Sequence, residues 1–166
     1  MKKNMYFLTL LSFLKLHAFI EIGKLASDFC LPDEMGKMHS LSEWRGKKVA
    51  LVFYPSGSTP YCKLEAETLR DEFIKLEDAG VVVVGINNES KEAHLEFKNR
   101  LKLPFHLLTA DKKVIKLFGA AGWFGYVERK TFLIDENGIL VQIIDNVELR
   151  KHHEQILSGF GLIKDA

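Results

Sequence analysis

The stretch Lys48-Val-Ala-Leu-Val-Phe-Tyr54-Pro-Ser-Gly-Ser-Thr59-Pro-Tyr-Cys62-Lys-Leu-Glu65-Ala66 changes character at its midpoint. After Lys48 it runs as an unbroken set of apolar, β-favouring residues, which reads as a buried strand. Proline, serine and glycine then break the run and start something else. Pro60 suits the first position of a helix, because its missing N–H would have had no intrahelical partner there. Thr59 becomes the N-cap and Cys62 the third helical residue. Ala66, Leu69, Phe73 and Leu76 recur at helical spacing on one face, and Gly80 ends the helix. The local order is therefore strand, short loop, and a helix with a cysteine in its first turn.

The pattern continues outward from there. Val81-Val-Val-Val-Gly-Ile86 is a second strand, apolar on both faces as parallel strands tend to be. Ser90 caps a helix that reaches about Arg100, and Pro104-Phe-His-Leu-Leu108 is a short strand. Lys112 to Phe118 form a short helix closed by Gly119. Thr131–Asp135 and Ile139–Ile144 flank Glu136-Asn-Gly138, and Asn-Gly between two apolar runs signals a hairpin. A last helix carries Leu149, His153, Ile156, Leu157 and Phe160 on one face. Alternating strands and helices that finish in a hairpin and a helix predict an α/β sandwich with a mixed sheet. That order accommodates a thioredoxin-like core.

The bulk numbers narrow the function. The chain has 166 residues, 47% hydrophobic and 27% charged, with Lys+Arg 23 against Asp+Glu 22 and a formal charge of +1. One soluble domain with a good core fits this, and no charge excess points to nucleic acid or a strongly charged membrane. Cys30 and Cys62 make no disulfide framework, no C-x-x-C and no zinc spacing. Residues 1–18 stand apart, with Lys2 and Lys3 before the apolar run Met5–Leu14. They read either as an extension or as a secretory signal ending near Ala18, and the run is short for a membrane span. The domain is taken as residues 19–166, cytoplasmic, or exported to a periplasm if the segment is a signal.

At the start of a helix the sulfur of Cys62 would lie beside unpaired N–H groups and the positive end of the dipole. Such surroundings favour thiolate over thiol. Position alone supports a packed, inert cysteine just as well, with Thr59 as a simple cap.

The wider constellation is more specific. Pro55-Ser-Gly-Ser-Thr59-Pro-Tyr-Cys62 matches Pro-x-x-x-Thr-x-x-Cys and closely resembles the active-site motif of the peroxiredoxins. The resemblance spans about residues 20–160. It includes Ile22–Asp33 as the family's opening hairpin, His39–Lys48 leading into the first core strand, and Glu128–Asp135 as the late strand. It is most like the Q-type, or bacterioferritin comigratory protein, branch. The resemblance implies a thioredoxin-like three-layer sandwich: a mixed central sheet flanked by helices, with an N-terminal β-hairpin. It further implies a thiol-dependent peroxidase acting on hydrogen peroxide and organic hydroperoxides. Cys62 would be the peroxidatic cysteine, oxidised to a sulfenic acid. Thr59 would hydrogen-bond the peroxide and Arg129 would stabilise thiolate and leaving oxygen. Pro55 would shield the sulfur, and Glu65 would order Arg129. No cofactor or metal is implied.

Many Q-type members carry a resolving cysteine five positions on, where this chain has Glu67. Cys30 is expected to be packed or idle. The resemblance therefore implies a one-cysteine cycle completed by thioredoxin, glutaredoxin or a small thiol, in a monomer. Tyr61 and Lys63 replace the usual Gly and Thr beside the cysteine; Tyr61 would narrow access and Lys63 would aid ionisation.

Other features carry less. Gly119-Ala-Ala-Gly-Trp-Phe-Gly125 follows a helix and precedes a strand, the reverse of a nucleotide loop. It is expected as a mobile loop near the site, with Trp123 and Phe124 as apolar walls. His152 and His153 are adjacent and point apart, one packed and one solvated, while His94 and His106 stand alone. Lys47-Lys48 and Lys112-Lys113 read as solvated charge. Two other functions fit the scaffold: a thioredoxin-like disulfide oxidoreductase, whose first cysteine is here Thr59, and a redox-inert binding module or holdase.

Overall fold

The computed structural model describes residues 20–164; the segment 1–18 lies outside the described residues. The chain runs β1 (Cys30–Pro32), β2 (Met38–Ser40), β3 (Lys48–Phe53), α1 (Pro60–Asp71), α2 (Phe73–Asp78), β4 (Val81–Asn87), α3 (Lys91–Leu101), β5 (His106–Thr109), α4 (Lys112–Leu117), β6 (Lys130–Ile134), β7 (Leu140–Ile144) and α5 (His152–Gly159). Short 3-10 turns occupy Leu41–Trp44 and Trp123–Gly125.

The five long-range strands form one sheet in the order β5-β4-β3-β6-β7, and β1 and β2 form a separate hairpin. β3 pairs parallel with β4 and antiparallel with β6. The expected mixed sheet between layers of helices is therefore present, but the N-terminal hairpin is formed by Cys30–Pro32 and Met38–Ser40 rather than within Ile22–Asp33, whose early part instead bridges Leu25 to Ile139.

β3 is buried on both faces, which explains its unbroken apolar run. Val49, Leu51 and Phe53 point into one core with the hairpin, α4 and an aromatic trio of Phe53, Phe118 and Phe132. Ala50, Val52 and Tyr54 point into the other core, with α1, α2, α3 and α5. Each fully buried Leu or Phe in these layers contributes about 1.5–3 kcal/mol relative to exposure.

Element ends follow local chemistry. Ser90 and Asp111 cap α3 and α4 by accepting from the Ala93 and Val114 amides. In the β6–β7 turn the Asp135 carboxylate accepts from the Asn137 amide, and Gly138 adopts φ 79, a value glycine takes without strain. The long helix expected after Thr59 is divided at Glu72 (φ −102, ψ 10) into α1 and α2. Strand β5 begins at His106, two residues later than expected, because Pro104 cannot donate to a ladder. Helix α5 starts at His152, leaving Leu149 outside it. Among the described residues no helix is long and apolar enough to cross a membrane.

Candidate active site

The topology brings two distant segments to one edge. β3 ends at Phe53 and leads through residues 54–59 into α1, while antiparallel β6 begins at Lys130, directly opposite Phe53. Arg129, just before β6, therefore arrives where Cys62 sits. Its Nη2 donates to the Cys62 sulfur at 3.1 Å. Cys62 is only 2% exposed, packed on the core side of α1. The Thr59 hydroxyl oxygen accepts from the Cys62 amide at 3.3 Å, as an N-cap does, and the hydroxyl donates to the Ser56 carbonyl at 3.3 Å. Pro55 is half-buried at the start of the loop.

Behind the sulfur stands a row of buried polar groups. Glu65, one turn after Cys62 and 2% exposed, pairs through Oε2 with Arg129 Nη1. Its Oε1 lies 3.1 Å from Nδ1 of His152, the first residue of α5. His152 Nε2 in turn is 2.9 Å from the Thr131 hydroxyl. Burial, helped by the Arg129 cation, pushes His152 down to about 3, so its ring is neutral. Nδ1 thus faces the Glu65 carboxylate in close approach but without hydrogen-bond geometry, and Nε2 shares a hydrogen bond with the Thr131 hydroxyl. Thr131 sits opposite Val52 and faces the α1–α5 layer, which is why strand register decides this contact. The sequence reading missed His152. It also expected one of the two histidines to be solvated, and both are buried because the start of α5 packs against α1 and α2.

The loop before the cysteine is tied down from β4 and α3. Glu89 accepts from the Ser56 hydroxyl at 2.6 Å and from the Gly57 amide at 3.0 Å. Arg100 Nη2 donates to the Gly57 carbonyl at 3.2 Å. Burial raises Glu89, but the Gly57, Ser56 and Asn87 hydrogen bonds outweigh it and hold the carboxyl below its usual range. A Cβ at Gly57 would meet the Phe97 ring at 2.8 Å, so the loop lies on α3 only because this residue is glycine. His94, expected to stand alone, is buried and hydrogen-bonds Asn87 Oδ1.

Other residues singled out in the sequence are placed as follows. Trp123 and Phe124 are 85% and 96% exposed and wall nothing off. Lys63 pairs with Glu67 across a helical turn at 3.9 Å, and Tyr61 is exposed. Lys48 is paired with Glu136 at 2.6 Å. Cys30 is exposed, not packed, and its hairpin covers the sheet face opposite the one that carries Cys62.

Comparison with known proteins gives the family and the fold. Residues 22–143 match the model of the AhpC/TSA family. A putative peroxiredoxin bcp of Coxiella burnetii is 41% identical over 146 residues, covering 83% of this chain and 97% of the relative. The peroxiredoxin Bcp of Bacillus subtilis is 36% identical over 148 residues, covering 83% and 93%. The crystal structure of peroxidoxin BcpB from Mycobacterium tuberculosis superposes with a TM-score of 0.79 at 28% identity, over 88% of this chain and 99% of that one.

Proposed function

The chain belongs to the AhpC/TSA family, among peroxiredoxins of the Bcp and Q type, and is a thiol peroxidase; we propose that Cys62 is its peroxidatic residue in a one-cysteine cycle. The supporting observation is the 3.1 Å contact between Arg129 Nη2 and a sulfur otherwise enclosed by core. A guanidinium cannot give up its proton at working pH, so it stabilises the thiolate beside it.

In the forward step the Cys62 thiolate attacks one peroxide oxygen. The S–O bond forms as the O–O bond breaks, and the departing oxygen leaves as water or alcohol after taking a proton. Sulfur is oxidised to sulfenic acid and peroxide is reduced by two electrons. Arg129 meets the negative charge moving from sulfur to oxygen, and the Thr59 hydroxyl positions the peroxide. Pro55 keeps the loop over the sulfur. Glu65 fixes Arg129, and neutral His152 fixes Glu65; these two are positioning residues that never touch substrate.

Recovery needs a thiol from outside. An S–S bond of about 2.05 Å cannot form with a sulfur this enclosed, so the first turn of α1 opens for the reductant. Thioredoxin, glutaredoxin or a small thiol attacks the sulfenic acid and expels water; a second thiol then cleaves the mixed disulfide. In this reading the enzyme works as a monomer in the cytoplasm. Thioredoxin-type dithiol exchange lacks its partner sulfur, since Thr59 stands in that place.

The test is single-turnover trapping. One equivalent of peroxide followed by a sulfenic-acid reagent should label Cys62 rapidly, and Cys62→Ser should abolish labelling and turnover. Rapid labelling elsewhere, with Cys62 unmodified, would overturn the assignment.

A further inference from the structure

The N-terminal hairpin meets the sheet through a knot of titratable side chains that peroxide reduction does not use. Asp33 follows β1, His39 is the middle residue of β2, and His106 opens β5. Asp33 Oδ2 lies 3.0 Å from His39 Nε2 and 3.5 Å from His106 Nδ1. The three donor atoms all fall within 4.8 Å of one another.

Each donor is aimed by a second contact. Asp33 Oδ1 accepts from the Met35 and Lys37 amides at 2.8 and 2.9 Å, which leaves Oδ2 facing the two rings. Glu43 Oε1 is 2.6 Å from His39 Nδ1, an arrangement that in metal sites fixes the ring and leaves Nε2 as ligand. His106 Nδ1 is buried with no hydrogen-bond partner among the described residues. Yet Asp33 and Glu34 oxygens lie 3.5 and 3.7 Å from it, the Glu34 oxygen being already paired with Lys98. A buried ring nitrogen turned toward the Asp33 carboxylate without a hydrogen bond leaves a gap between them suited to a cation.

We propose that Asp33, His39 and His106 bind one divalent transition ion of the zinc type. Two imidazoles and a carboxylate are a donor set for such ions rather than for calcium or magnesium. With bonds of about 2.0–2.1 Å, tetrahedral ligands stand roughly 3.3 Å apart. The two separations from Asp33, 3.0 and 3.5 Å, bracket that spacing, and the two rings' ligand atoms lie within 4.8 Å of each other. The fourth position opens to water on the side of His106, whose side chain is 45% exposed. On binding, the proton shared by His39 Nε2 and Asp33 leaves to solvent. The ion would join β1 and β2 to β5, so it would stabilise the fold by mass action.

The experiment uses the full chain stripped with a chelator, then titrated with Zn2+ against a chromophoric competitor and with Co2+ by visible spectroscopy. One ion per chain should bind with micromolar or tighter affinity, and Co2+ should give d–d bands without a thiolate charge-transfer band. His39→Ala and His106→Ala should each weaken binding at least tenfold, Glu43→Gln by about tenfold, and His153→Ala should change nothing. His106 is half-exposed, so its variant folds and decides the matter if His39→Ala does not. No binding at about 100 µM free Zn2+, undiminished affinity in His106→Ala, or a thiolate band would each overturn the proposal; the knot would then be a proton-bridged ion cluster.

Discussion

Arg129 stands 3.1 Å from the Cys62 sulfur through Nη2 while its Nη1 pairs with Glu65. One planar guanidinium thus spans the Cys62 sulfur and a buried acid, and neither contact can shift without the other. The sulfur's electrostatics depend on a carboxylate that lies one helical turn along from it.

This geometry predicts that Arg129→Lys will not be conservative. A lysine offers a point charge without the fork and cannot reach both partners in the same plane. The second-order rate with hydrogen peroxide, read by stopped flow or competition, should fall by about 100-fold or more. A rate within about threefold of the parent would remove Arg129 from the mechanism. Arg129→Ala is the poorer test, since it strands a buried Glu65 charge at a cost of about 3–5 kcal/mol.

Glu65→Gln should keep the packing but release the guanidinium. Peroxide reactivity should drop by about tenfold, and the double variant with Arg129→Lys should lose less than the sum. A coupling of about 1 kcal/mol or more in the activation term is expected for groups in contact. Additive losses would mean that the two side chains act independently.

His152 makes an acid-stability signature. Its folded-state value of about 3 lies below the ordinary 6.5. As pH falls through 6.5 the unfolded chain takes up this proton and the folded chain does not. Stability is therefore lost on acidification, by at most about 1.4 kcal/mol per pH unit for this group. His94 and His106, both lowered by burial, act in the same direction, and His39, raised by Glu43 and Asp33 despite its burial, acts against it. Urea unfolding between pH 6.5 and 5 should show a shallower loss in His152→Asn, by about 1–2 kcal/mol across the window. An identical slope would mean that this ring is protonated in the folded protein.

Most of the fold was legible because its signals are local. The run before Tyr54, the Thr59-Pro60 start of α1, Ser90 as a cap and the Asn137-Gly138 turn each specify structure within a few residues. Thr59 as the cap of α1 and Cys62 in its first turn were visible for the same reason. What stayed hidden depends on register and layer packing. His152 meets Glu65 only because α5 crosses α1, and Glu89 reaches Ser56 and Gly57 only because β4 ends beside that loop. Asp33, His39 and His106 converge through the meeting of a hairpin with a strand far along the chain. The burial of the His152–His153 pair was misjudged because adjacent helical residues usually face apart, whereas here both are buried at the start of α5.

Cys30 provides the last test. It is exposed on β1, and its hairpin packs on the sheet face opposite α1, so the sheet separates it from Cys62. A disulfide needs Cα atoms within about 7 Å, which this layering does not offer without unfolding the hairpin. Cys30→Ser should therefore retain turnover with thioredoxin or a small thiol within about twofold. Peroxide-treated parent protein, denatured under alkylating conditions, should show no internal disulfide by mass spectrometry. Loss of turnover in Cys30→Ser, together with a Cys30–Cys62 linkage in the parent, would replace the one-cysteine cycle with a two-cysteine one and require the hairpin to leave the sheet in every cycle.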